Sequence, residues 1–506
     1  YMINLFSNID SIVKKYGDRV FLIDGDREIT FSGLINDILK VKQGIKDLGI
    51  QKGDRVCLLL PNVYESVLLH FALLFTGVII VPLNFYDKWQ AINFKVKFVE
   101  AKAVIFWDQF EQKIEKLKED TDGKIKLISF GENKVEDAAD YLTLLTSESD
   151  KNLFDDVEDD ENALILFTSG ISGKSKAAVF TYNNISKAVE IFNSFFRVNS
   201  EEIFLAAVPL FHPAALSMIL FPGINNGSKI VLHSRFDEKE LIDSIDKHKV
   251  TFFPGTFTMF NAVAENISEF EKKKNDLKFL VSIGGEIPDE NLKAIEDFFN
   301  CEILFSYGTT ETLFLASGSR IMDIKESRSC GIPLNGVKIE IFNENRIESE
   351  NFAEGEIAVS GEHIFKEYWN DEELTQYFKK DNWFFSEDIG RFDEYSILYF
   401  LERKDEIIFK GGFLVYPREI EETLMGFDKI KEVAVIAVSD DEVGQEIKAF
   451  ITLNENIRVE PEEVFSFCRD RLPLYKCPKY LKFTPVIPKS STGKVLKRFL
   501  RSKRFQ

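Results

Sequence analysis

The 506-residue chain exceeds the length at which one hydrophobic core keeps growing, so two or more domains are expected, and its 45% hydrophobic residues suffice to fill them. With 83 acidic against 63 basic residues the formal charge is −20, which excludes a general binder of nucleic acid or anionic membrane and requires any anionic ligand to be held by local lysines and backbone N–H groups. Five scattered cysteines without a Cys-x-x-Cys spacing exclude a disulfide framework or zinc knuckle and point to a reducing, cytoplasmic setting.

Residues 2–19 lack a basic segment followed by an apolar one, and no stretch approaches the roughly 18 apolar residues of a membrane span, so no integral membrane association is expected. Strand-length apolar runs then alternate with helical patterns: RVCLLLP (55–61), YESVLLHFALLFTG (64–77), VIIVPLNF (78–85), AINFKVKFVEAK (91–102) and AVIFW (103–107). That alternation predicts βαβ units and a mostly parallel sheet. DDVEDDEN (155–162) reads as an acidic surface connector, and a second series follows with IFLAAVPLF (203–211), SKIVLH (228–233), DEKELIDSIDKHKV (237–250), TFFPGT (251–256) and LKFLVSIGG (277–285). Two α/β subdomains on one plan fit this better than one long sheet. From about residue 330 short strands and turns (VKIEIFNE, GEIAVSG, SILYFLER) predict a small β-rich subdomain, and after the charged LERKDE (401–406) an α+β pattern begins. The expected domains are therefore 1–402 and 403–506. The 48 phenylalanines are read as core filling, with an enlarged apolar binding pocket as the lesser reading.

FTSGISGKSKAAVF (167–180) contains Gly-Lys-Ser, the tail of a Walker A phosphate loop, but Thr168 stands where the first glycine belongs. NALILFTS before the loop and KAAVFTY after it both read as strands, with Asn183 or Asn184 capping a helix only later. The context is strand, loop, strand. Thr168, Ser169, Gly170, Ile171, Ser172 and Gly173, followed by Lys174 and Lys176, can present hydroxyls and N–H groups to a polyphosphate. In SYGTTET (306–312), Tyr307 offers a flat face for a purine, Thr310 a hydroxyl for phosphate, and Glu311 a hard oxygen ligand suited to Mg²⁺. In SIGGEIP (282–288), Gly284 and Gly285 let the backbone approach a base closely.

These segments resemble, in order, the signatures of the adenylate-forming superfamily, which includes acyl-CoA synthetases, luciferases and the adenylation domains of peptide synthetases. FTSGISGKSKAAV is similar to T-S-G-[ST]-T-G-x-P-K-G-V, departing at Ile171, Ser175 and Ala177 while Lys176 keeps the family's lysine; SYGTTET is similar to Y-G-x-T-E. DNWFFSEDIGRFDE (381–394) resembles G-W-F-x-T-G-D with Glu387 for glycine, and ERKDEIIFKGGFLVYPREIEE (402–422) resembles G-R-x-[DK]-x-I-K-x-x-G-x-x-[VI]-x-P-x-E with Glu402 for glycine and Phe409 for lysine. PKSSTGKVLKR (488–498) closely matches P-K-[ST]-x-x-G-K-[IV]-x-[KR]-R.

The resemblance implies a reaction in two halves. A carboxylate attacks the α-phosphate of ATP·Mg²⁺, forming an acyl-adenylate and releasing pyrophosphate; a thiol then displaces AMP. It implies catalytic roles for Lys494, Glu311, His212 and Lys176, with Mg²⁺ on Glu311. Nucleotide contacts fall to Thr168, Ser169, Gly170, Ser172, Gly173, Gly284, Gly285, Glu286, Ser306, Tyr307, Gly308, Thr309 and Thr310, and ribose contacts to Asp388 and Arg403. Asp405 is implied as the hinge of a mobile C-terminal domain whose Gly411 and Gly412 line the thiol tunnel. AAVPLFHPAALSMILFPG (206–223) carries no acid to pair an α-ammonium, so an aliphatic or aryl carboxylic acid is expected, with His212 as a gate beside it. The thiol is expected from CoA, alternatively from the phosphopantetheine arm of an acyl carrier protein. A catalytically weak acyl-nucleotide binding protein is the reading from another class.

Overall fold

Strand-forming runs of Val, Ile, Leu and Phe separated by amphipathic stretches must be covered on both faces, and a parallel sheet with helical crossovers achieves that. The computed structural model describes residues 9–120, 124–145, 150, 152–168, 176–285, 287–320, 329–349, 352–410, 413–440, 443–455, 457–490 and 493–501. The chain divides into two compact units, Tyr1–Ile339 with Val359–Phe384, and Glu340–Ala358 with Phe385–Gln506.

The first unit carries two sheets, as the two apolar series predicted. One has eight strands in the order Glu367–Tyr368, Lys176–Thr181, Asn162–Thr168, Ile79–Pro82, Arg55–Leu59, Ala103–Trp107, Lys126–Phe130, Ala139–Asp140. It is parallel from Asn162–Thr168 to Ala139–Asp140, while Lys176–Thr181 runs antiparallel to both of its neighbours. The helix Tyr64–Phe75 is buried all round, which is why it reads as apolar on every face. In the other sheet the strands Ile303–Tyr307, Phe279–Ile283, Phe252–Thr256, Ile203–Ala206, Lys229–Leu232 and Val20–Asp24 are successive parallel neighbours. Phenylalanines fill this core: Phe192, Phe204 and Phe252 are fully buried, with the Phe252 ring 5.3 Å from both Phe204 and Phe279.

The second unit is α+β, as expected of the C-terminal stretch. Strands Trp383–Phe392 and Leu398–Arg403 pair antiparallel. Beyond them, Ile430–Asp440 and Gly444–Leu453 form a long hairpin, joined by Ile408–Lys410, Phe413–Val415 and, in parallel, Tyr480–Phe483. Helices Pro417–Met425 and Pro461–Arg469 supply Ile420, Leu424, Val464 and Cys468 to its core.

Candidate active site

The phosphate-loop segment has the strand–loop–strand context read from the sequence. Asn162–Thr168 and Lys176–Thr181 run antiparallel with Thr168 opposite Lys176. The helix after them starts two or three residues earlier than expected: Thr181, not Asn183 or Asn184, is its N-cap. The Thr181 hydroxyl accepts the Asn184 N–H at 3.1 Å while the Asn184 side chain accepts the Thr181 N–H at 2.9 Å, so Asn184 is the returning partner of a capping box. Ser169, Gly170, Ser172 and Gly173 lie outside the described residues, as do Ile171, Lys174, Ser175, Glu286, Gly411 and Gly412.

A segment the motifs did not flag joins the 167–180 and 306–312 stretches. Residues 365–369 lie along the outer edge of Lys176–Thr181: the Lys366 N–H donates to the Val179 carbonyl at 2.7 Å, and the Trp369 N–H to the Ala177 carbonyl at 2.8 Å. The Phe365 N–H donates to the Glu311 carbonyl at 2.9 Å, and the Tyr368 hydroxyl donates to Glu311 Oε1 at 2.7 Å. Tyr368 and Glu311 are both buried, so this bond aims the carboxylate in a setting of low dielectric. The Lys176 ammonium lies 3.6 Å from the Phe378 ring centroid and 5.8 Å from that of Tyr368, a cation–π placement that holds it at the end of its strand. Lys176 and Glu311, distant in sequence, are thus tied to one short segment.

SYGTTET ends the strand Ile303–Tyr307 and turns back sharply. A Cβ on Gly308 would stand 2.6 Å from the Phe314 backbone, so only glycine fits this return. The Ser306 hydroxyl faces inward and donates to the Phe314 carbonyl at 3.2 Å. Tyr307, Thr309 and Thr310 are half-buried, Thr310 opening a single 3₁₀ turn that contains Glu311. The turn ends on two left-handed residues, Leu313 (φ 51°) and Phe314 (φ 60°), an arrangement that costs on the order of 1–2 kcal/mol per residue. It is held by the buried Ser217 hydroxyl, which donates to the Leu313 carbonyl at 2.7 Å, and it sets the Phe314 ring 4.8 Å from the ring of His212.

His212 caps the short helix Pro213–Ala215, its Nδ1 accepting the Ala214 N–H at 3.2 Å. Burial pushes its pKa down to about 4, so near pH 7 the ring is neutral with its proton on Nε2. The chain after it widens into a π-helical turn, Leu216–Leu220, which places Ser217 against Leu313. Gly284 (φ 82°) and Gly285 are exposed at the end of Phe279–Ile283, and a Cβ on Gly285 would strike the Phe257 ring.

In the second unit Asp388 and Arg403 stand directly opposite each other on paired strands, Arg403 Nη1 2.9 Å from Asp388 Oδ1. Asp388 is buried and its N–H donates to Ser386 Oγ at 3.1 Å. Glu387, where the family pattern has glycine, takes φ 60° all the same, held by the Lys404 N–H on its carbonyl and by Glu356 Oε1 on its own N–H. Asp405 Oδ1 is 3.9 Å from Arg403 Nε. Lys494 is exposed on a turn closed by the Ser490 N–H donating to the Lys494 carbonyl at 2.7 Å, and Phe409 is exposed on its strand.

Among the described residues no group of three or more His, Cys, Asp or Glu could hold a metal ion. Glu311 offers one buried carboxylate, which suits an ion such as Mg²⁺ that keeps several waters and shares a substrate's phosphate oxygens.

Residues 9–369 match the model of the AMP-binding enzyme family, and 419–494 that of the AMP-binding enzyme C-terminal domain. The chain is 30% identical to a 2-succinylbenzoate–CoA ligase of Bacillus licheniformis, over 95% of this chain and 96% of that one. It is 28% identical to a long-chain-fatty-acid–CoA ligase of Bacillus subtilis, covering 96% and 92%, and 28% identical to a feruloyl-CoA synthase of Amycolatopsis, covering 94% and 93%. The ATP-bound crystal structure of MatB from Rhodopseudomonas palustris has the same fold, with a TM-score of 0.90 at 21% identity over 99% of both chains.

Proposed function

The chain belongs to the AMP-binding enzyme family and is an ATP-dependent, AMP-forming acid–CoA ligase, and on that premise we propose how its residues divide the work. The carrying observation is the single segment, 365–369, that ties Glu311 to the strand of Lys176. A carboxylate is a poor nucleophile toward a polyanion, so adenylation needs cations and N–H groups fixed where charge develops. Lys176 and the 168–173 loop stabilise the leaving pyrophosphate, and Lys494 steadies the attacking carboxylate beside the α-phosphate. Tyr307, Gly284, Gly285 and Glu286 receive the adenine, Ser306, Gly308, Thr309 and Thr310 line the nucleotide's path, and Asp388 with Arg403 takes the ribose hydroxyls. Glu311, aimed by Tyr368, is the residue that would hold Mg²⁺, whose chemistry when bound is to neutralise phosphate charge.

The acid has an aliphatic or aryl body. A neutral His212 packed on Phe314, with Phe257 beside Gly285, supports an apolar lining, and 206–223 offers no carboxylate to an ammonium. The named relatives are CoA ligases, which supports CoA over a carrier-protein arm as the acceptor. The body 403–506 turns about Asp405 between half-reactions, bringing Lys494 to adenylation and Gly411–Gly412 to thiol transfer. Free cysteines, and the lack of any described helix long and apolar enough to cross a membrane, support a cytoplasmic enzyme. Pyrophosphate release against a panel of fatty and aryl acids tests the reading: release that depends on one acid class and yields its CoA thioester is expected, and no acid-dependent release across the panel would contradict it.

A further inference from the structure

The helix Pro417–Met425 begins with a gap that its own sequence does not close. Its N-cap, Tyr416, makes no side-chain capping bond, Pro417 has no N–H, and the first donor left over is the Arg418 N–H. That donor goes to Glu402 Oε2 at 2.9 Å, while Glu402 Oε1 accepts the Arg403 N–H at 3.0 Å. Glu402 lies on the strand Leu398–Arg403 and is 3% exposed, with both oxygens engaged. A carboxylate that precedes Asp405 in the chain therefore caps a helix that follows it.

The surroundings reinforce the tie. Buried Lys497 Nζ lies 3.0 Å from Glu406 Oε2 and 2.9 Å from Glu421 Oε1, and Glu421 Oε1 accepts the Val435 N–H. The Arg418 guanidinium stacks over Phe400, on the same strand as Glu402, and pairs with Glu422. Glycine, which the family pattern has at 402, has no side chain to reach the helix, so this cap belongs to the present chain.

We propose that Glu402 is a positioning residue that latches the C-terminal body in the conformation seen here, by capping the helix Pro417–Met425 from the other side of Asp405. The inference rests on the reading in which 403–506 turns about Asp405: that turn separates residue 402 from residue 418 and must release the cap. Glu402 thereby sets the balance between the conformations that serve the two half-reactions.

The latch carries a pH signature. Burial pushes the Glu402 carboxyl up to about 7, with Lys497 and the Arg403 N–H opposing the rise and the carboxylates of Glu406 and Glu421 adding to it; Arg403 and Arg418 are the other charged neighbours. Released into water, the group returns toward its ordinary 4.5, so release sheds a proton. The latched state is favoured at low pH and loses that advantage as pH rises from 4.5 through about 7.

The test measures both half-reactions of the full-length enzyme by rapid quench from pH 5.5 to 8: acid-dependent pyrophosphate release, and conversion of preformed acyl-adenylate to thioester on adding CoA. In Glu402→Gly the ratio of the two rates is expected to change by about 5-fold or more, the size of a lost helix cap. In Glu402→Gln, which keeps the shape but cannot ionise, the ratio is expected to lose its pH dependence. Unchanged rates, losses equal in both steps, or a wild-type pH profile in Glu402→Gln would overturn the proposal. A second arm needs no turnover: spin labels at the exposed positions 395 and 474, with half-buried Cys330 changed to serine, report the distance distribution. A second population is expected in Glu402→Gly, and a distribution identical to the unsubstituted one in that variant would overturn the latch. If no acid supports pyrophosphate release in the wild type, the ligase reading fails while this arm still decides the latch.

Discussion

Replacing Tyr368 by phenylalanine removes one hydroxyl and leaves the backbone tie between 365–369 and the strand of Lys176 in place. The lost bond is a 2.7 Å hydrogen bond between a buried phenol and a buried carboxylate, with Tyr368 2% and Glu311 7% exposed. Hydrogen bonds to charged groups contribute about 1.5–3 kcal/mol, so complete loss of Glu311's orientation would cost roughly 10- to 150-fold in rate. The carbonyl of Glu311 stays anchored by the Phe365 N–H, which limits its drift and sets the expectation near the lower end, about 10-fold in kcat/KM for Mg·ATP. Glu311→Gln, which removes the charge itself, is expected to cost on the order of a hundred-fold or more. The assay is acid-dependent pyrophosphate release titrated with Mg²⁺: Tyr368→Phe needs more Mg²⁺ for half-maximal rate. A variant with the wild-type rate and Mg²⁺ dependence, differing only in melting temperature, would refute the assignment of Tyr368 to aiming Glu311.

Lys176→Ala is expected to lower acid-dependent pyrophosphate release far more than Lys174→Ala, since only Lys176 keeps the family's lysine position; equal losses would contradict the register. Burial holds His70 and His363 at about 4, below the ordinary 6.5, so the folded state binds fewer protons than the unfolded one between those values. Stability is therefore expected to fall as pH drops from 6.5 toward 4, by up to about 1.4 kcal/mol per pH unit for each ring. His363→Asn flattens that fall in a melting-temperature series, and an unchanged slope would contradict its buried, neutral state.

Periodicity exposed the alternating strands and helices because burial on two faces leaves unbroken apolar runs, and the strand–loop–strand context of 162–181 followed from the β-branched and aromatic residues flanking the loop. The order of polar motifs made Lys176, Glu311, Asp388, Arg403 and Lys494 legible as candidates. What joins them was not. The Tyr368–Glu311 bond spans 57 residues of sequence, and strand pairing of Glu367–Tyr368 on Lys176–Thr181 is a long-range choice that a two-residue strand does not announce. The aromatic pair in KEYWN, just before the capped helix Glu372–Phe378, was the available hint. The left-handed Leu313 and Phe314 carry no glycine to mark them, and the Thr181 cap was hidden because Thr181, Asn183 and Asn184 all suit that role. Glu402 stood out only as a departure from glycine; its partner, the Arg418 N–H, is a backbone group that no side-chain pattern reveals.

In adenylation the acid's own oxygen attacks the α-phosphate of ATP. Turnover with a carboxylic acid labelled with ¹⁸O in both carboxyl oxygens, in the presence of ATP, Mg²⁺ and CoA, follows that oxygen. Attack forms the acyl-adenylate, and the thiol then breaks the bond between the carbonyl carbon and that oxygen, so AMP carrying one ¹⁸O and unlabelled pyrophosphate are expected. Label in inorganic phosphate with formation of ADP, or AMP without label, would contradict it.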